Sequence, residues 1–357
     1  MNFKNYAVLL SLTLSGGALA QTYQATVYPD NTLVNGISSS IGGGHWGGKA
    51  ALFDGFGRPQ IVHPKFLDSA TTTGTSYINA RNGELSVGYG IYAQNPGHTV
   101  AIRWVGKTAL RLTNPFPAWG AVAVSTDGNQ IVGTVIDITT GQESVGPGDQ
   151  HGIIWDAQTG AVIADLYDGK PQYITGGAGG IQVGYDFASN GAQARMWRGT
   201  ARPAINLHPT AYDVSQAVAT DGVTQVGNVG IAVRLFDETH HGTRVMMNSA
   251  AVWHGKASSL QTLGYYLPGY PHFVSFATGV SGPFVCGVGQ AKNYAGTTQT
   301  THAVVWDLYR YQPIDLHFTL PTGYISSRAT SVDADGNVTG YTVDALGRVH
   351  GVIWTRN

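Results

Sequence analysis

Three observations predict an all-β chain, a seven-bladed β-propeller of four-stranded blades. First, tryptophan recurs at Trp104, Trp155, Trp197, Trp253, Trp306 and Trp354, at intervals of 42 to 56 residues, and Phe53 holds the same slot one interval earlier. Each closes a short apolar run: AALF, AIRW, GIIW, ARMW, AAVW, AVVW, GVIW. Seven copies of one unit describe one repeat architecture and not several domains. Second, each unit splits into short segments rich in β-branched residues and bounded by Gly, Asp, Asn or Thr, the pattern of strands. Third, no segment sustains a 3.6-residue apolar period, so helix is nearly absent. Units of four short strands, repeated at this spacing, read as propeller blades.

The unit around Trp155 shows the four elements in order: WGAVAVSTDG, NQIVGTVID, HGIIWD and GAVIADL, here called strands A to D. The A–B link is a tight turn, as in Arg81-Asn82-Gly83, Thr126-Asp127-Gly128, Thr220-Asp221-Gly222 and Asp335-Gly336-Asn337. Asn-Gly and Asp-Gly suit hairpins because glycine takes positive φ at no steric cost. Strand B carries a glycine at Gly88, Gly133, Gly184, Gly227, Gly287 and Gly340, expected to let neighbouring sheets approach closely. Strand C holds the aromatic anchor, whose ring fills the space between sheets. Strand D ends in an apolar pair, as in IADL and IDLHF.

Blades one to six each have strands A to D. The seventh has SSRATSVD, NVTGYTV and GVIW, and then the sequence ends at Asn357. Its fourth strand is predicted at the other end of the chain, Tyr23 to Tyr28, which closes the ring and removes both open edges. Six or eight blades are the alternative counts.

With THAVVW (Thr301 to Trp306), HGIIW (His151 to Trp155) and HGVIW (His350 to Trp354) placed on strand C, the chain resembles the HAF-type extracellular repeats of bacterial exported proteins. The resemblance covers residues 21 to 357. It implies a propeller and an exported protein, and it implies no shared activity. The unit is also similar to WD-repeat and Kelch blades, although neither the Trp-Asp pair nor the double glycine is kept in every copy.

Residues 1–20 read as a signal peptide: Lys4, an apolar run from Ala7 to Leu14, and Ala18-Leu19-Ala20 before Gln21. The rest, 21–357, reads as a single propeller domain in a secreted or periplasmic protein without a membrane span. Cys286 is the lone cysteine, set in the strand-like PFVCGVG, so it is expected to be a buried structural thiol. Charged residues are 11% of the chain and the net charge is −1. No basic cluster is present to neutralise phosphates, which points away from nucleic acid.

No Gly-x-Ser-x-Gly, Walker loop, His-Glu-x-x-His or dinucleotide fingerprint occurs. His151, His302 and His350 precede a Trp by four residues in three different blades. They are expected to make a repeated hydrogen bond at the start of strand C, and not to share a metal. Asp333-Ala334-Asp335-Gly336-Asn337 has part of a calcium-loop pattern but no distal Glu at the required spacing, so it reads as a turn. No metal and no cofactor is expected.

Loop length gives the remaining signal. From anchor to the next strand-B glycine the spacing is 29 to 35 residues, and from that glycine to its anchor it is 13 to 26. Relative variation is therefore concentrated between strands B and C, and function lives on variable loops held by rigid scaffolds. Three B–C loops are long: Asp137 to Gln150, Phe236 to Asn248 and Ala291 to Thr301. A short one, GGGHWGG, is expected to expose Trp46. With the D–A crossover from Tyr265 to His272, these form one face. The candidate ligand-binding residues are Trp46, Tyr265, Tyr266, Tyr270, His272, His240 and His241. Flat amphipathic rings suit sugars or partner proteins. The sequence thus points to an exported non-catalytic binding or scaffold protein that holds a glycan or a surface protein. The alternative is a polysaccharide lyase or glycosidase with its site at the mouth of the channel.

Overall fold

The computed structural model describes residues 22–357 other than 55–58, 138–149, 189–190, 202, 237–240, 271 and 293–296. The segment read above as a signal peptide, 1–20, lies outside the described residues. Among those described, the strands form seven four-stranded antiparallel sheets. Six have the order A-B-C-D. Their A strands are Thr32–Ser38, Thr75–Asn82, Gly120–Thr126, Tyr173–Ala178, Val214–Thr220 and His272–Ser281. The seventh sheet has strands A to C at Tyr324–Val332, Val338–Asp344 and Val349–Arg356. Its fourth strand is Tyr23–Asp30, paired antiparallel with Val349–Arg356, Tyr23 opposite Arg356 and Val27 opposite Val352. The predicted closing strand is therefore present and ends two residues later, beyond a register break after Val27.

Strand A is innermost and lines the channel. Because neighbours are antiparallel, A–B and C–D turns share one face, and B–C and D–A connections share the other. The six tryptophans and Phe53 are fully buried. Each of three indoles also ties its blade to the preceding one. Trp104 donates to the Val62 carbonyl at 2.9 Å, Trp155 to Thr113 at 2.7 Å and Trp306 to Gly264 at 2.8 Å. A second tie joins strand C to the next strand A. The amides of Ala50, Ala194, Ala250 and Ala303 donate to the hydroxyls of Ser76, Ser215, Ser275 and Ser327, each at 2.9 Å. Gly351 donates to Thr32 at 2.7 Å, which carries the same tie across the ring closure.

The strand-B glycine has a different cause from the one its spacing suggests. Every strand A contains a β-bulge at one place, at residues 35, 79, 124, 175, 218, 278 and 330. The bulge turns a carbonyl of strand A against strand B of the same blade. A Cβ on Gly184 would lie 1.8 Å from the Tyr173 oxygen, and one on Gly287 would lie 2.0 Å from that of Phe276. Gly44, Gly88, Gly133, Gly227 and Gly340 are confined in the same way. The glycine therefore serves a contact inside the blade and not the approach of two blades.

The bulge residue also holds the ring together. Asn35 and Asn79 donate to the Ile78 and Ala123 carbonyls of the next blade at 2.8 Å. Thr175 donates to Ala217 at 2.7 Å, Thr278 to Ala329 at 3.0 Å, and Thr330 to Val34 at 2.7 Å. Val124 and Val218 interrupt this belt, because valine has no donor.

Two of the predicted long loops are largely strand. Residues 231–236 and 241–247 continue the blade-five hairpin, with Ile231 opposite Met247 and Phe236 opposite His241, past the start of its strand A. Strands Phe284–Lys292 and Thr298–Asp307 likewise consume most of Ala291 to Thr301. β-Branched residues such as Ile231, Val233, Val245, Thr298 and Thr300 suit a strand as well as a loop. Of Asp137 to Gln150, residues 138–149 lie outside the described residues. No helix among the described residues is long and apolar enough to cross a membrane.

Candidate functional site: two mouths of one channel

At the A–B end the channel holds a cavity of about 520 Å³. It is lined by the bulge residues and by the stretch from each bulge to its turn, including Ser38, Arg81, Ser125, Ser281 and Ser331. Three carboxylates at its rim, Asp127, Asp221 and Asp333, are already engaged. Asp127 accepts from the amides of Asn129 and Gln130 and, across the blade boundary, from Gly179 at 2.9 Å. Asp221 accepts from Val223 and Thr224 and across the boundary from Gly282 at 3.0 Å. Positive φ of 91° at Gly128 and 94° at Gly222 lets each turn close beneath its aspartate.

Asp333 follows the same rule. It accepts from Asp335, Asn337 and Ser40 amides and from the Asn337 side chain. The calcium-like run is thus a capped turn. Among the described residues no group of three or more His, Cys, Asp or Glu is arranged to hold a metal. Cys286 is fully buried, and burial pushes its thiol up to about 12.

The opposite mouth begins where the cavity lining stops. Two residues before each bulge stand Leu33, Tyr77, Val122, Tyr173, Gln216, Phe276 and Arg328, one per blade, and none is buried. Two of them organise aromatic clusters with strand B. Tyr173 stacks on Tyr185 with centroids 5.0 Å apart and planes 1° apart, and Phe187 meets both edge-on at 5.5 and 5.7 Å. Phe187 is 60% exposed. Tyr77 stacks on Tyr89 at 5.0 Å, and His45 packs edge-on against it at 4.8 Å. Strand alternation puts Trp46, 39% exposed, on the other side of its blade from His45.

The sequence-predicted residues divide as follows. Trp46 and Tyr266 are exposed on the B–C and D–A face, and Tyr266 packs its ring 5.0 Å from Phe273. Tyr270 is half-buried, and His272 begins strand A of blade six opposite Lys292. Tyr265 is not a surface residue. At 8% exposure it fills the space over Gly289, and its hydroxyl donates to Asp315 at 3.1 Å. His240 lies outside the described residues, and His241 is placed only by its backbone pairing with Phe236.

The strand-C histidines do make structural bonds. His151 pairs with Asp165 at 2.8 Å and His302 with Asp315 at 2.7 Å, both aspartates on strand D. His350 differs because its strand D comes from the chain's other end. It meets the Tyr28 carbonyl at 3.1 Å and Asp344 at 3.3 Å.

Sequence reasoning missed Tyr173, Tyr185, Phe187 and Arg328. A signal was present, since Tyr follows the strand-B glycine at Tyr89, Tyr185 and Tyr341. Burial raises the hydroxyl pKa of Tyr89, Tyr173 and Tyr185. That moves them away from the phenolate form a proton-abstracting base requires.

No protein-family model matches the sequence, and no curated protein is similar to it at a significant level. Among solved structures, the chain is similar to the Dos1 propeller, with 11% identity and a TM-score of 0.39 over 87% of this chain and 75% of that one. It is similar to the N-terminal domain of Nup159 at 11% identity and a TM-score of 0.39, over 95% and 98% of the two chains. A prolyl endopeptidase matches with 9% identity and a TM-score of 0.48 over 76% of this chain. This chain spans 39% of that endopeptidase. These likenesses concern fold alone.

Proposed function

We propose that this chain is an exported, non-catalytic recognition module of the HAF-repeat type that binds a glycan at the B–C and D–A mouth of its channel. One observation carries the reading: the Tyr173–Tyr185–Phe187 cluster presents stacked, partly exposed rings from rigid strands at that mouth. Planar aromatic surfaces fixed by a scaffold bind sugar rings with little loss of side-chain freedom. Export is supported by the Ala18-Leu19-Ala20 cleavage pattern in the first twenty residues.

Burial shifts Tyr89, Tyr173 and Tyr185 at this mouth away from the phenolate form, which favours binding over lyase chemistry. The test is a glycan array probed with residues 21–357, repeated with Tyr173→Ala and Phe187→Ala. Loss of signal in both variants, with melting unchanged, supports the reading. Binding of a surface protein and of no glycan overturns it. Shortened or unsaturated sugar products in the same incubations overturn the non-catalytic part.

A further inference from the structure

Resting on that glycan reading, we propose that the ligand is a carboxylated oligosaccharide, with its acid group held by Arg328 and its sugar rings by the blade-four aromatic cluster. The argument begins with the seven equivalent positions two residues before the bulge. Six carry uncharged side chains and one carries a guanidinium. Arg328 is exposed, and its side chain makes no hydrogen bond or ion pair with the described residues. Asp344, the acid at this end of strand B in the same blade, is already taken by Arg348 at 2.7 Å and approached by His350 at 3.3 Å. Arg195, on the other side of the mouth, is likewise committed to Asp186 at 2.8 Å. Among the described residues Arg328 is thus a cation without a counter-charge, on a strand whose backbone is fixed, opposite the half-buried Tyr341.

A planar guanidinium offers two parallel N–H donors to a carboxylate, and this geometry is what distinguishes arginine from lysine at acid-binding sites. Its position also constrains ligand size. Blades four and seven have two blades between them one way and three the other, the largest separation that a seven-membered ring allows. A ligand that reaches both Arg328 and Tyr173 has to span the mouth, and a chain of sugars suits that span. The ring between them, with Leu33, Val122 and Phe276, adds apolar contact and no competing charge.

The experiment compares oligogalacturonates of graded length with their carboxyl-reduced counterparts, which share the backbone and lack the acid. The expected result is about tenfold tighter binding of the acidic series, rising with length, since one charge-assisted bidentate pair is worth about that much. Arg328→Gln should erase the preference, and Arg328→Lys should keep part of it. Tyr173→Ala should weaken both series alike. Equal affinity of the two series, or an unchanged preference in Arg328→Gln, overturns the carboxylate assignment while the glycan reading stands. Binding of neither series, with no hit on the array, overturns both. Arg328 is exposed, so an unchanged melting curve for its variants confirms that affinity and not folding is being read.

Discussion

The A–B end of the channel and the opposite mouth are built from the same seven strands, yet they resolve polar and aromatic groups in opposite ways. At the A–B end every rim aspartate discussed above is consumed by its own turn and by the next blade's amide, and the chemistry repeats. At the other mouth the seven equivalent positions carry six residue types, with stacked tyrosines in two blades and, in a third, an arginine unpaired among the described residues. Where the repeat is obeyed, groups satisfy one another. Where it is broken, surface is left over for a ligand.

The strongest way to break this comparison is to attack what both ends share. Trp155→Ala removes a fully buried indole and its bond to Thr113, and should cost about 3–5 kcal/mol in chemical denaturation. An intact melting curve would show that the anchors do not hold the blades together. Next, Gly184→Ala drives a methyl into the Tyr173 carbonyl. It should cost about 3 kcal/mol, and because it displaces Tyr173 it should also weaken ligand binding.

Separating the ends is the third test. Phe187→Ala should reduce glycan affinity about tenfold without a change in melting, as expected for an exposed aromatic contact. Val223→Ser, at an exposed A–B turn, should change neither quantity. A loss of binding in Val223→Ser would move the site to the other end.

Acid should also act on one end. Burial lowers the pKa of His45 and His317 from 6.5. It does the same for His208, helped by Arg195 and opposed by Asp186. All three lie on the B–C and D–A side. The unfolded chain takes up these protons below about pH 6.5 while the folded chain resists them, so stability present at neutral pH falls as pH drops through that value. Amide exchange should accelerate on that face first.

The smallest effect repairs the belt. Val218→Thr supplies a hydroxyl opposite the Ala277 carbonyl, as Thr175 does for Ala217, and should add about 0.5–1 kcal/mol.

Much of the architecture was legible because blade count depends on residues that have no alternative role. Buried tryptophan at a fixed interval, Asp-Gly turns and the orphan strand at Tyr23 each admit one structural reading. The bulge was harder to see. Asn35, Asn79, Thr175, Thr278 and Thr330 differ in type, and only the backbone shows that they do one job. The face was readable from loop length, but the residues were not. Tyr265 looked like its neighbour Tyr266, and sequence could not tell that a glycine across the blade boundary leaves room for one ring and not the other. Tyr173 and Arg328 sit inside regular strands, where the repeat disguises them as scaffold.

The closing strand sets a schedule as well as a shape. The Tyr23 hydroxyl donates to the Gly336 carbonyl at 3.1 Å, across 313 residues of sequence. Six blades can assemble in the order in which the ribosome delivers them, because their strands are neighbours in sequence. The seventh waits for both ends of the chain. Until Val349–Arg356 has emerged, Tyr23–Asp30 has no partner, and an unpaired apolar strand is a hazard for mispairing. Contacts between the ends also carry the largest loop-closure entropy, so the last step is expected to be the slow one. Until that step the folding chain is an open ring, with Tyr23–Asp30 unpaired.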